Sequence, residues 1–381
     1  MSGERTYLDW NATAPLHPEA RAAAERALDV FGNPSSVHTE GRRARAIVET
    51  AREQVASLVG AQASEVVFTS GATEACNMVL SAPWGAVLRA GIEHDAALKP
   101  AAAPGRESID LRVARDGVLD LADLADKARA STATHGAGRV LLALQLANNE
   151  TGVIQPLGNA TAIAREAGAS VFSDAVQAAG RMPVDFAVLG VDAMAISAHK
   201  LGGPKGVGAL ILRDGVELPT LIQGGGQERR RRGGTENIPG IAGFGAAAEA
   251  ARRTIADGGR IAALRDRLEA GLRALTPGAE IVGATAKRLA NTTCVAVPGL
   301  SAETLVIRFD LAGFAISAGA ACSAGKIAAS GVLLAMGLPE ATARSAVRIS
   351  IGPTTTDHEI DRFLGAWRDI ATEPITRTAA A

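Results

Sequence analysis

The chain has 381 residues, 47% of them apolar but only 3% aromatic, so Ala, Val, Leu and Ile must fill any core. Its 39 Lys and Arg stand against 40 Asp and Glu, a balance that argues against a nucleic-acid or membrane-surface binder. The length predicts two domains or three, and no uncharged stretch reaches the ~18 residues of a membrane span.

The amino terminus, Met1 to Tyr7, lacks the basic-then-apolar layout of a secretory signal. Cys76, Cys294 and Cys322 are too few and too scattered for a disulfide framework or a zinc site. The expected setting is therefore the reducing cytoplasm, with no bound metal. Thr39–Leu58 reads as a long amphipathic helix, with Arg and Glu on one side and Ala, Ile, Val and Leu on the other. Short apolar runs follow at Val66–Ser70, Val140–Leu146, Ser170–Asp174, Met194–Ala198 and Ala209–Leu212. Their lengths suit buried strands, and their alternation with helices predicts a mostly parallel sheet covered on both faces. Ligands bind such sheets beyond the carboxyl ends of the strands.

After the glycine-rich stretch Gly224–Thr235, two helical stretches run from about Ile238 to Leu275. A strand near Thr293–Val297, a helix near Glu303–Leu311, a strand at Phe314–Ser317, a loop, a strand at Val347–Ile351 and a last helix then read as a smaller α+β domain. The expected division is 14–255 for the large domain and 1–13 with 256–381 for the small one.

Three strand ends carry chemistry. Ser197-Ala-His199-Lys200 places a lysine just past a buried strand, where partial desolvation makes an amine a usable nucleophile toward an aldehyde. Asp174-Ala-Val-Gln177 places an acid and an amide past a second strand. An Asp beside a pyridine nitrogen keeps it protonated and makes pyridoxal phosphate an electron sink. Ser70-Gly-Ala72-Thr73-Glu74 is a tight turn into a helix, whose free N–H groups and dipole suit a phosphate. Each has a plainer reading alone: a solvated lysine, a helix cap, a well-capped helix. Gly243-Phe-Gly245 matches a dinucleotide fingerprint on paper, but no strand precedes it, so it reads as close helix packing. The basic run Arg229–Arg232 reads as pairing with acids or phosphate rather than with nucleic acid.

Together these segments resemble the fold-type-I pyridoxal-phosphate enzymes, and within them the cysteine desulfurases of the NifS/IscS type. The resemblance runs from Tyr7 to about Phe363 and includes Gly32–His38, Glu93-His94, Ala147–Gly152, Arg232–Thr235 and Ser317–Cys322 besides the three strand ends. It implies an α/β class V aminotransferase fold: a large domain whose mostly parallel seven-stranded sheet lies between helices, plus a smaller α+β domain carrying Cys322.

The resemblance also implies roles. Lys200 would hold the aldehyde of pyridoxal 5'-phosphate and move the substrate α-proton, and His94 would stack on its ring. Asp174 would pair with the ring nitrogen and Gln177 with the ring hydroxyl. Asn149 would lie near that hydroxyl and the substrate carboxylate, which Arg348 would grip. Ala72, Thr73, Ser197 and His199 would hold the phosphate, and Thr235 would complete that cup from the neighbouring subunit, implying a homodimer. Cys322 would take the sulfur of L-cysteine as a persulfide and leave L-alanine, its thiolate needing a base or a nearby positive charge. Cys76 and Cys294 read as buried structural thiols. An acceptor such as an iron–sulfur scaffold or a thiolation relay would then receive the sulfur. The chain departs from the family at Ala318 and Ala320, where relatives more often carry serines, and in a shorter Ser81–Glu93 stretch. Two alternatives follow: a selenocysteine lyase on the same fold, and a non-catalytic assembly subunit, against which the intact Lys200, Asp174, Gln177, His94 and Cys322 set speaks.

Overall fold

A strand buried on both faces needs no polar alternation, and the five apolar runs form such strands. The computed structural model describes residues 5–297, 299–319 and 329–371; Cys322 lies outside them. In chain order the strands are β1 (Thr6–Tyr7), β2 (Val66–Thr69), β3 (Ala86–Ala90), β4 (Glu107–Leu111), β5 (Val140–Ala143), β6 (Ser170–Asp174), β7 (Ala193–Ser197) and β8 (Gly208–Leu212). Then come β9 (Glu280–Ile281), β10 (Thr292–Ala296), β11 (Phe314–Ala315), β12 (Ser317–Ala318) and β13 (Ala346–Ser350). The first helices are α1 (Pro18–Leu28), α2 (Thr39–Val59), α3 (Ala72–Leu80), α4 (Asp95–Ala101), α5 (Leu121–His135), α6 (Leu157–Glu166) and α7 (Phe186–Leu189). They continue with α8 (Ile238–Thr254), α9 (Gly258–Leu275), α10 (Ala302–Leu311), α11 (Gly331–Ala335), α12 (Glu340–Ser345) and α13 (Asp357–Ala371).

Seven strands form one sheet in the order β2-β8-β7-β6-β5-β3-β4. β3 to β7 run parallel, while β8 is antiparallel to both β2 and β7. Successive residues face opposite sides, so Leu142, Val171 and Met194 join the core under α2 and α8, whereas Leu141 and Phe172 join the one beneath α3. The expected helix Thr39–Leu58 is α2, closed by Gly60 in the left-handed conformation. Gly243 and Gly245 sit inside α8 at close contacts: an added Cβ would meet Pro204 at 2.6 Å and the Ala20 carbonyl of α1 at 3.1 Å from the first, and Ala51 of α2 at 2.6 Å from the second. Helix packing explains both glycines.

A second sheet, β12-β13-β10-β9, has its own core with α9, α10 and α13. Leu8 from the amino-terminal segment belongs to this core. Its centre is aromatic: Phe309 stacks on Phe363 and Trp367 with ring centroids 4.9 and 5.5 Å apart. The strand expected at Phe314–Ser317 is two short pieces instead. β11 pairs with β1, and β12 pairs with β13, because the chain changes sheets at Ile316.

One buried ion pair pins the glycine-rich segment to the large sheet. Arg52 on α2 donates both terminal nitrogens to Glu228 at 2.8 and 2.9 Å, and the same carboxylate accepts from the N–H of Phe68. The three residues Glu228, Arg229 and Arg230 all have positive φ, of 45°, 55° and 66°. Such a run costs about 1–2 kcal/mol per residue and persists only where the surroundings impose it. Beyond it, Arg232 pairs with Glu74 on α3 at 2.9 Å, as expected of a basic run that meets acids.

Candidate active site

The carboxyl ends of β6 and β7, the head of α3 and the head of α4 open onto a cleft of about 670 Å³. The structure brings ten of the expected residues to its walls: Ala72, Thr73, His94, Asn149, Asp174, Gln177, Ser197, His199, Lys200 and Arg348. Thr235 is exposed and not among the residues lining this chain's cleft. Cys322 falls in 320–328, outside the described residues, between β12 and α11.

Lys200 ends a single 3-10 turn after β7 and donates its Nζ to the carbonyls of Asn11 and Ala12 at 2.7 and 3.0 Å. His199, beside it, shares a 3.2 Å hydrogen bond with Thr13 Oγ1. Burial, followed by the charges of Lys200, Lys205 and Arg181, pushes its imidazole down to about 4, so it is neutral at pH 7. Asp174 closes β6 with one carboxylate oxygen on the N–H of Val176 at 2.9 Å. Its other oxygen has no protein donor among the described residues. Burial raises its pKa, opposed by the Val176 N–H and by the charges of His94 and Lys200.

At the head of α3, the capping residue is Gly71, whose missing side chain leaves the N–H groups of Ala72 and Thr73 uncapped. Gly208 faces it across the sheet edge: a Cβ there would lie 2.8 Å from the Cα of Gly71. Small residues on both sides keep this cradle open beside Ser197, the register partner of Gly208. His94 caps α4 by accepting the N–H of Ala96 on Nδ1 at 3.1 Å. Behind it, burial pushes the carboxyl of Glu93 well up, although both its oxygens accept the N–H of Gln145.

The small sheet supplies the opposite wall. Arg348 on β13 pairs with Asp9 at 2.7 Å and donates to the carbonyl of Asn149 at 3.0 Å, while its buried Nε has no partner among the described residues. That orphaned donor suits a carboxylate ligand.

Several residues of the site lay outside the sequence-based assignment. Asn11 gathers the site, accepting from Lys200 Nζ and Gln177 Nε2 through its carbonyl while its side chain donates to the carbonyl of Asn149. Asp9 fixes Arg348. Arg181 donates to Gln177 Oε1 and to the carbonyls of Gln177, Trp10 and Lys200. Asp9 and Asn11 lie in the stretch from Tyr7 where the resemblance begins, which carried no roles for them; Arg181 had no signal.

Residue types and placement fit pyridoxal phosphate: one cleft is lined by an uncapped helix head for an anion, a half-buried carboxylate for a ring nitrogen, and a lysine. Residues 6–363 match the family described as Aminotransferase class-V, and the chain belongs to that family. Within it, similar curated proteins are named cysteine desulfurase. One from Cereibacter sphaeroides is 43% identical over 373 residues, covering 95% of this chain and 94% of that protein. Cysteine desulfurase 2 of Trichormus variabilis is 39% identical, covering 94% of this chain and 91% of that one. Among solved structures, a NifS-like protein from Rickettsia africae superposes with a TM-score of 0.89 at 34% identity, over 97% of this chain and 99% of that one. No helix of the described residues is long and apolar enough to cross a membrane.

Proposed function

We propose that the protein is a cysteine desulfurase that uses pyridoxal 5'-phosphate to convert L-cysteine to L-alanine and leaves the sulfur as a persulfide on Cys322. The observation that supports it best is the convergence of Lys200, Asp174, Gln177 and the α3 head on one cleft, with Arg348 opposite. Bound there, the cofactor supplies a protonated ring that accepts the electron pair released at the substrate α-carbon. Ala72, Thr73, Ser197 and His199 hold its phosphate, Asp174 its ring nitrogen, Gln177 and Asn149 its hydroxyl side, and His94 its face. Thr235 of a second copy completes the phosphate cup in a homodimer. Arg348 and Asn149 orient the substrate carboxylate, and Lys200 moves the α-proton. The Cys322 thiolate attacks the substrate sulfur; the carbon–sulfur bond breaks as the sulfur–sulfur bond forms, and the carbon takes up a proton to become the methyl group of alanine.

The same reading assigns 14–255 to a cofactor domain and 1–13 with 256–381 to a small domain, in keeping with the membership of Leu8 in the second core. It places the enzyme in the cytoplasm, with a sulfur-acceptor protein such as an iron–sulfur scaffold as partner. Incubation with L-cysteine tests it, reading free alanine and the mass of the Cys322 peptide. Alanine with a persulfide on that peptide supports the reading. Product without any persulfide turns the assignment to a lyase, and a protein that stays colourless with added pyridoxal phosphate removes the cofactor.

A further inference from the structure

Glu150 is a buried carboxyl group that the proposed chemistry leaves unused. It follows Asn149 in a tight turn whose geometry is set by Asn148. The Asn148 Oδ1 accepts the N–H groups of Glu150 and Thr151 at 2.9 and 2.8 Å, and its Nδ2 donates to Ile92 at 3.0 Å. The turn therefore sends Asn149 into the cleft and Glu150 the other way, toward the small sheet. There Glu150 Oε2 accepts the hydroxyl of Ser330 at 2.5 Å, while Ser330 Oγ accepts the N–H of Leu333 at 3.1 Å and so caps α11.

The same carboxylate oxygen lies against Gly319. A Cβ at that position would stand 3.0 Å from Glu150 Oε2 and 3.4 Å from the Ser330 side chain. Gly319 is itself fixed, its N–H donating to Ala346 at 3.0 Å, and Ser330 donates its N–H to Ala343 at 3.2 Å. One carboxyl group thus meets the residue that enters the segment 320–328 and a residue that leaves it. The carbonyl of Asn149, one residue away, braces Arg348.

We propose that Glu150 is a positioning residue: through Gly319 and Ser330 it fixes the ends of the segment carrying Cys322 to the turn that presents Asn149 and supports Arg348. Its contacts stand without the desulfurase reading; its consequence for sulfur transfer rests on that reading. A thiol that must meet the substrate sulfur gains from having its chain ends referenced to the group that holds the substrate carboxylate, since small misplacements cost large factors in rate. The charged groups that face Glu150 are Arg348 on β13 and His94 at the head of α4, and the Cys294 thiol on β10 also lies in its field. Burial, offset in part by the Ser330 hydroxyl and then by Arg348 and His94, pushes the carboxyl up to about 7.

Limited trypsin digestion of the full-length holoenzyme tests the tie without using activity, by following cleavage after Lys326. Glu150→Ala and Ser330→Ala should each speed that cleavage about five-fold relative to cleavage elsewhere, and the double variant should be no faster than the faster single. Glu150→Gln, which keeps an acceptor for the Ser330 hydroxyl, should stay near the parent. Persulfide formation on Cys322 should fall about ten-fold in Glu150→Ala, with the colour of the bound cofactor unchanged. Should Glu150→Ala give no folded protein, Ser330→Ala and Gly319→Ala carry the test, the latter pressing a methyl on the same oxygen. Unchanged cleavage, or effects that multiply in the double variant, overturns the assignment. A parent enzyme that forms no persulfide, yet shows the cleavage pattern, overturns the desulfurase reading alone.

Discussion

Two arginines, Arg52 buried and Arg181 half-buried, stand in opposite circumstances. Arg52, in the large core, meets the carboxylate of Glu228 with both terminal nitrogens. Burial works against its charge, but the bonds and charge of Glu228 and Glu49 outweigh it, and its pKa rises. Arg181, beside the cleft, has no carboxylate partner among the described residues and spends its donors on one amide and three main-chain carbonyls. Burial, then the charge of Arg348, pushes it down to about 9. The first arrangement closes a charge pair and anchors a strained segment. The second leaves a positive field beside Lys200 and fixes the amide of Gln177. One arginine holds the fold; the other tunes the site.

The largest effect should come from breaking the anchor. Glu228→Ala leaves Arg52 buried without a counter-charge, and urea unfolding should show a loss of about 3–5 kcal/mol. Arg181→Met should cost less, about 1–3 kcal/mol, because it strands neutral acceptors but removes an unpaired charge. Its signature is functional: retention of pyridoxal phosphate, followed by absorbance after dialysis, should fall while the Glu228 variant's remaining folded fraction keeps its colour.

Glu150→Gln extends the contrast to a carboxyl without a bonded cation. The folded pKa of about 7 lies above the ordinary 4.5. Its contribution to stability is therefore full below pH 4.5 and is lost as pH rises through 7. The stability of the variant relative to the parent should improve by on the order of 3 kcal/mol between pH 4.5 and 8, read from denaturant melts. The smallest effect concerns His199, whose ring signals should not titrate between pH 6 and 8 in nuclear magnetic resonance spectra. Arg181→Met should move its midpoint upward, since Arg181 is one of the charges that depress it.

Strands buried on both faces were the easiest to read, because Val140–Ala143 and most of Ala193–Ser197 are continuous apolar runs. β3 and β4 were not anticipated. Ala-Val-Leu-Arg-Ala carries a charge at its fourth residue, and Glu-Ser-Ile-Asp-Leu at the sheet edge is largely polar, since an edge strand needs little burial. β5 stops at Ala143 although the apolar run goes on to Leu146, for apolar residues also line the turn beyond a strand. In the site, residues just past strands announced themselves through motif. Asn11, Arg181 and Glu150 act mostly through contacts far along the chain: Asn11 meets Asn149, Gln177 and Lys200 at 138, 166 and 189 positions away. Spacing along a chain carries no signal for such contacts.

The scarcity of aromatic side chains gives the molecule an optical simplicity. Its three tryptophans fall in three different surroundings. Trp367 is sealed in the aromatic stack of the small core, Trp84 packs at the edge of the core beneath α3, and Trp10 lies against Gly352, with its carbonyl bonded to Arg181. Emission from single-tryptophan variants would therefore time the loosening of the small core, of the large sheet and of the site's floor as three separate signals during unfolding.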